Sequence, residues 1–299
     1  MFRLQSSITN FAFFFSFACM IMIGLLLNEG RNQSLIEEIP SRQAVADTKP
    51  MIIEENTTHT MNNQKTSFLK KETNSGTSNN TAPQIMIYHS HNRESWIPEL
   101  DHINSPDQAF DSEINVTLLG SYLLNKLKSS DIPVFHSNID YPSRISNFNY
   151  AKSYSYSKQT ITQELKMHQN VKYLFDLHRD SQEREKTTIL FKNQNYAQVY
   201  FVVGTNHPNW KQNMNFAERI QESLNERIPN LSKGIYQKDK TSGNGEYNQS
   251  LSGNSALIEI GGVENSLEES YRTIEVLAKV IQDIWLEDRS QLAVSSPSV

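Results

Sequence analysis

The chain has 299 residues, with 28 Lys+Arg against 33 Asp+Glu and a formal net charge of -5. It carries no basic stripe or run of like charge, which argues against a nucleic-acid binder. Its one cysteine, Cys19, excludes an intramolecular disulfide, so a metal site must use nitrogen and oxygen ligands unless Cys19 contributes. From Leu4 to Asn28 no residue is charged, and 11–27 reads FAFFFSFACMIMIGLLL. Roughly 20 apolar residues let a helix cross a hydrocarbon layer. A cleaved signal peptide has a shorter apolar core and a small-residue cleavage triplet, which LLLNEG lacks. Residues 1–28 therefore read as a short cytoplasmic stub and a retained transmembrane anchor. Arg3 weakly favours a cytoplasmic N-terminus. Residues 29–82 include NNQKTSFLKKETNSGTSNNTA and show neither helical nor strand period. Such a segment buries too little apolar surface to offset its chain entropy, and it reads as a disordered polar tether.

From Pro83 the texture changes. The run 84–88 (QIMIY) predicts a buried strand. Apolar residues at Ile114, Leu118, Leu119, Tyr122, Leu123 and Leu127 predict a helix over 113–129. A strand over 132–135, a helix over 157–167 and a strand over 171–177 (VKYLFDL) follow. Strands are expected at 186–191 and 197–203. A helix over 209–227 should stop at Ile228, because Pro229 disfavours the helical region for the residue before it. The strand 255–260 (SALIEI) closes on Gly261 and Gly262. The last helix is expected over 265–285, with Asn265 as N-cap and Glu268 three residues on. Residues 288–299 read as a flexible tail. Strands alternating with helices predict one domain over 83–287, a three-layer αβα sandwich with a mostly parallel mixed sheet.

In open sheets of this class ligands bind beyond the carboxyl ends of the strands. Three polar clusters fall there. The first is His89, Ser90, His91, Asn92, Arg93 and Glu94. The second is Asp176, Leu177, His178, Arg179 and Asp180. The third is Glu259 with Gly261 and Gly262. A His and a Glu three residues apart in a loop can bend onto one cation. Thus His91 and Glu94, with His178 from a neighbouring strand, form a candidate zinc set with an open fourth position. H-x-x-E alone is a common chance pattern; the coincidence of three clusters at strand ends gives it weight. Glu259 is the candidate proton shuttle, since burial at the end of an apolar strand should raise its pKa. Asp176 either orients His178 or, sharing its facing, is itself a ligand or substrate contact. Arg93 and Arg179 could each take a carboxylate bidentately. His102, His136, His168 and His207 show no convergent partner.

At these residues the chain resembles the stage II sporulation protein P family of endospore-forming bacteria. The blocks are IYHSHNRESW at 87–96, INVTLLG at 114–120, YLFDLHRDS at 173–181, AQVYFVVGTNHPNW at 197–210 and YNQSLSGNSALIEIGGVENSLEESYRT at 247–273. Ser90 stands where threonine is usual, and Ser250 where aspartate is expected. The resemblance implies a zinc-dependent N-acetylmuramoyl-L-alanine amidase with an added endopeptidase activity on stem-peptide cross-links. Its setting would be septal wall thinning and engulfment of the forespore, on the outer face of the membrane, between mother cell and forespore. Partners implied are a lytic transglycosylase and a membrane scaffold protein. The resemblance also implies an architecture like that of zinc carboxypeptidases and amidases, with Glu259 as catalytic glutamate and His91, Glu94 and His178 as ligands. His89 remains an alternative to His91. Arg179 and Asp180 are implied substrate contacts, and Asn248 and Gln249 lie in another family block. Two other readings compete: a non-catalytic wall-binding module presenting Trp96 and Trp210, and a metallopeptidase acting on proteins.

Overall fold

The computed structural model describes residues 82–103 and 105–295. The anchor expected over 1–28, all but the last residue of the tether and the final four residues lie outside these. Among the described residues no helix is long and apolar enough to cross a membrane.

The strands are β1 (Ile85–Tyr88), β2 (Val134–His136), β3 (Tyr173–Asp180), β4 (Thr188–Phe191), β5 (Gln194–Ala197), β6 (Val199–Gly204), β7 (Ser232–Lys238) and β8 (Ser255–Gly262). The longer helices are α1 (Thr117–Lys128), α2 (Ser153–Met167), α3 (Trp210–Arg227) and α4 (Leu267–Ser295). Six strands form one sheet in the order β2-β1-β3-β8-β6-β7. The first four are parallel, β6 runs antiparallel to β8, and β7 is parallel to β6. This is an α/β fold with a mostly parallel mixed sheet.

Alternation along the strands sorts the core into two faces. Ile85, Ile87, Tyr173, Phe175, Leu177, Phe201, Ala256 and Ile258 share one cluster with buried residues of α1, α3 and α4. Met86, Tyr88 and Leu174 point the other way and pack with Ile161 of α2. Helices thus cover both faces, three on one and a single long one on the other. The helical periods explain the docking: α1 buries Leu119, Leu123 and Leu127, and α3 buries Phe216, Ile220 and Leu224. At about 1.5–3 kcal/mol per buried aliphatic or aromatic side chain, these stripes are the main favourable term. Helix α3 ends where proline requires, with Ile228 in extended conformation (φ -134°, ψ 105°).

Several expectations shift. The strand expected over 186–191 starts at Thr188 and lies outside the main sheet, pairing with β5 as a hairpin. Its two-residue turn, Lys192 and Asn193, has φ values of 47° and 61°, as a tight right-twisted hairpin demands. The edge strand β7 had no signal, since SKGIYQK alternates little and carries a glycine. The cap of α4 lies one residue later than expected. The Ser266 hydroxyl accepts from the Glu269 N–H at 3.2 Å, and the Glu269 carboxylate accepts from the Ser266 N–H at 3.1 Å, a reciprocal capping box. The helix continues to Ser295, ten residues beyond its expected end. Trp96 is fully buried in the core and offers no surface platform, which removes it from the wall-binding reading.

Candidate active site and metal centre

The more open face of the sheet carries the polar row. Residues 176 and 178 of β3 and 257 and 259 of β8 alternate onto it, and the register sets His178 beside Glu259. On the far side of β8, Tyr200 pairs with Glu259. After β1 the chain turns at 91–94, where the Glu94 N–H donates to the His91 carbonyl at 3.2 Å. The turn is pinned to the 109–116 segment through Ser95 to Ala109 (2.9 Å), Asp111 to Arg93 (3.0 Å) and Val116 to Glu94 (2.9 Å).

This turn brings His91 and Glu94 over the end of β3. His91 Nδ1 lies 3.0 Å from Glu94 Oε1, and His178 Nδ1 lies 3.4 Å from Glu94 Oε2. The Arg179 backbone N–H donates to Glu94 Oε2 at 2.9 Å. His91, Glu94 and His178 each offer a ligand atom, all within 4.8 Å of one another. Burial opposes the charged form of Glu94, but the His178 and His91 imidazoles outweigh it and hold the carboxyl well below its usual range. Burial likewise opposes charge on His178, and the Asp176 and Glu94 carboxylates overcome it, raising its pKa well above the ordinary value.

Glu259 faces the same space from β8. It is half-buried, and its Oε2 has no hydrogen-bond partner among the described residues. Burial pushes its pKa up to about 8, against the pull of His178 and helped by Glu94 and Asp180. Asp180 therefore belongs to the electrostatic surroundings of Glu259, on the far side of an irregularity in the β3–β8 register, and not to the ligand cluster. Two aromatic residues that no sequence pattern singles out complete the wall. The Tyr150 ring stacks on His91 with centroids 4.5 Å apart, and Tyr154 lies 5.1 Å from the same imidazole.

A buried polar chain supports the cluster from behind. His178 Nε2 lies 2.9 Å from Asp176 Oδ1, an ion-pair distance without hydrogen-bond alignment. Asp176 accepts from the Ser90 N–H at 2.8 Å and from the Ser90 hydroxyl at 2.6 Å. Ser90 Oγ also lies 2.8 Å from Ser157 Oγ, to which Asn248 Nδ2 donates at 2.9 Å. Asp176 thus sits behind His178. Asn248 acts two hydroxyls further back. Gln249 lies elsewhere: its side chain bonds the backbone of β6, donating to the Val202 carbonyl at 2.7 Å and accepting from the Gly204 N–H at 2.9 Å.

His89 does not join the cluster, because the odd-numbered positions of β1 and the residue after it face α1. Its Nδ1 lies 3.0 Å from the Leu177 carbonyl and its Nε2 2.9 Å from His136 Nε2. His136, for which no partner was expected, is therefore the partner of His89. A Cβ on Gly120 would meet those two Nε2 atoms at 2.5 and 2.4 Å, so glycine makes the room for the pair. Burial lowers the His136 pKa to about 4 from 6.5. The unfolded chain therefore binds this proton at higher pH than the folded one. The associated stability is whole above pH 6.5 and is lost as pH falls through 4. Thermal melts should show a loss on the order of 1–3 kcal/mol across that window, and His136→Gln should flatten it. An unchanged pH slope in the variant would assign the acid sensitivity to other groups.

The model of the family described as stage II sporulation protein P matches residues 21–282. The chain belongs to this family. Stage II sporulation protein P of Bacillus subtilis (strain 168) is 35% identical over 213 residues, 71% of this chain and 53% of that protein. The chain thus spans about half the length of the curated relative it matches. Among solved structures, Cwp6 from Clostridium difficile aligns with a TM-score of 0.41 and 14% identity, over 68% of this chain and 29% of that one. An N-acetylmuramoyl-L-alanine amidase from Clostridium difficile 630 aligns at 0.37 and 12%, over 68% of this chain and 96% of that one. Neither score carries weight for function, and the fold rests on the sheet order and register above.

Proposed function

We propose that this member of the stage II sporulation protein P family is a zinc-dependent peptidoglycan hydrolase, cutting the bond between muramic acid and L-alanine. Endopeptidase action on stem-peptide cross-links is part of the same proposal. The observation that carries it is the convergence of His91, Glu94 and His178, with Glu259 facing the same space from the next strand. Two imidazoles and one carboxylate are the donor set of a catalytic zinc site with an open position. The residues fit such an ion: Glu94 is held ionised, and each imidazole turns its Nδ1 toward that carboxylate. Asp176 on the other nitrogen of His178 fixes the ring.

Zinc held by His91, Glu94 and His178 would supply Lewis acidity toward the scissile carbonyl and would acidify water there to a pKa of about 7. Glu259, raised into the working range, takes the proton of the attacking water and returns it to the leaving amide nitrogen. Tyr150 and Tyr154 wall one side of His91 and limit access of bulk water. Family membership supports the setting: the chain acts on the outer face of the cytoplasmic membrane during engulfment, anchored by 1–28. A lytic transglycosylase and a membrane scaffold work beside it.

Elemental analysis of the purified protein tests the metal directly. One zinc per chain is expected, with loss of hydrolysis after chelation and recovery on adding zinc back. Hydrolysis that survives complete removal of metal would rule out this reading.

A further inference from the structure

Two arginines flank the site, and the fold treats them differently. Arg93 is committed within the chain. Its Nε donates to Asp140 Oδ1 at 2.8 Å and its Nη2 to Asp140 Oδ2 at 2.7 Å, a bidentate pair. That leaves no fork for a ligand. Arg179 follows His178 on β3 and is only 4% exposed. Its Nη2 donates to the Ala109 carbonyl at 2.8 Å, and its Nε has no partner. Among the described residues no carboxylate oxygen lies within 4.0 Å of its guanidinium. Glu94 touches only the backbone N–H of Arg179 and is already shared by two imidazoles.

A buried cation without an anion is costly, and folded proteins normally pair such charges. Aromatic rings surround the guanidinium on the side of the ligand cluster. The Phe110 ring lies 5.8 Å from Arg179 Cζ, is 42% exposed and packs edge-on against Tyr150. Tyr150 in turn stacks on His91. The unpaired guanidinium therefore sits behind the Phe110 and Tyr150 rings, beside the ligand cluster. A carboxylate arriving there meets a planar fork suited to bidentate binding.

We propose that Arg179 binds a free carboxylate of the stem peptide, with Phe110 and Tyr150 as the walls of that subsite. The substrate class rests on the function proposed above. Arg179 then sets specificity, favouring stem peptides with a free carboxylate over their amidated counterparts.

The test is calorimetric binding of synthetic stem peptides to the zinc-loaded full chain. One peptide has all carboxylates free, one has D-isoglutamine in place of D-isoglutamate, and one is amidated at its C-terminus. Wild type should bind at least one amidated peptide roughly 10-fold or more weakly than the free acid, in keeping with a desolvated charge pair. Arg179→Gln should erase that difference by weakening only the free-acid complex. Arg179→Lys, which keeps the charge and serves if the glutamine variant unfolds, should retain part of it. Equal binding of all three peptides by wild type would overturn the proposal, as would equal weakening of all three by either variant. Carboxylate-selective binding with no release of stem peptides from sacculi would count against the hydrolase reading alone. Release without selectivity would count against this proposal alone.

Discussion

Alanine in place of His178 should lower zinc affinity by more than about 100-fold and abolish release of stem peptides from purified sacculi. Removing a group that only hydrogen-bonds a metal ligand typically costs about 10–100-fold in metal affinity; removing the ligand itself costs more. His178 is 1% exposed, and its Nδ1 and Nε2 face Glu94 and Asp176 respectively. The fold should survive, because Asp176 keeps two hydrogen bonds from Ser90 when the imidazole is gone. Elemental analysis after dialysis and a digestion assay read the two effects separately. A variant that keeps one tightly held zinc would move the centre away from this cluster.

Glu259→Gln should reduce hydrolysis by about 10²- to 10⁴-fold, the usual contribution of a positioned general base or acid, while leaving zinc content unchanged. It should also stabilise the metal-free protein at high pH. The folded carboxyl has a pKa of about 8 against an ordinary 4.5, so the folded state holds this proton to higher pH than the unfolded chain. Stability therefore falls as pH rises from 4.5 through 8. That gap corresponds to about 5 kcal/mol at most, reduced because the side chain is partly exposed. Melts of metal-free wild type and variant should coincide near pH 4 and separate by a few degrees near pH 8.5. A variant less stable than wild type at both pH values would mean that Glu259 supports the fold instead of straining it. Activity and stability moving in opposite directions is the signature of a group placed for chemistry.

The central strands were legible because their apolar runs are short, dense and bounded by turn residues: QIMIY, VKYLFDL and SALIEI all became β1, β3 and β8. The candidate site was legible for a related reason. Parallel strands place their carboxyl ends together, so polar residues just past three such runs must approach one another. What escaped was whatever depends on partners far along the chain. The edge strand β7 is half solvated and has no hydrophobic alternation to read. Tyr150, Tyr154 and Ser157 meet the site only because α2 and the turn before it pack on the sparsely covered face. The choice between His89 and His91 needed the sheet's facing and the room left by Gly120. No spacing in the sequence shows that Asp140 takes Arg93 and leaves Arg179 without a counter-ion.

Metal-assisted hydrolysis by His91, Glu94, His178 and Glu259 is the proposal on which the other predictions depend. Mass spectrometry of the soluble products from purified sacculi tests it most directly, with wild type and Glu259→Gln run in parallel, zinc-loaded and zinc-free. Free stem peptides and denuded glycan strands are expected from zinc-loaded wild type alone. The same products from Glu259→Gln or from zinc-free protein, at wild-type yield, would contradict that proposal.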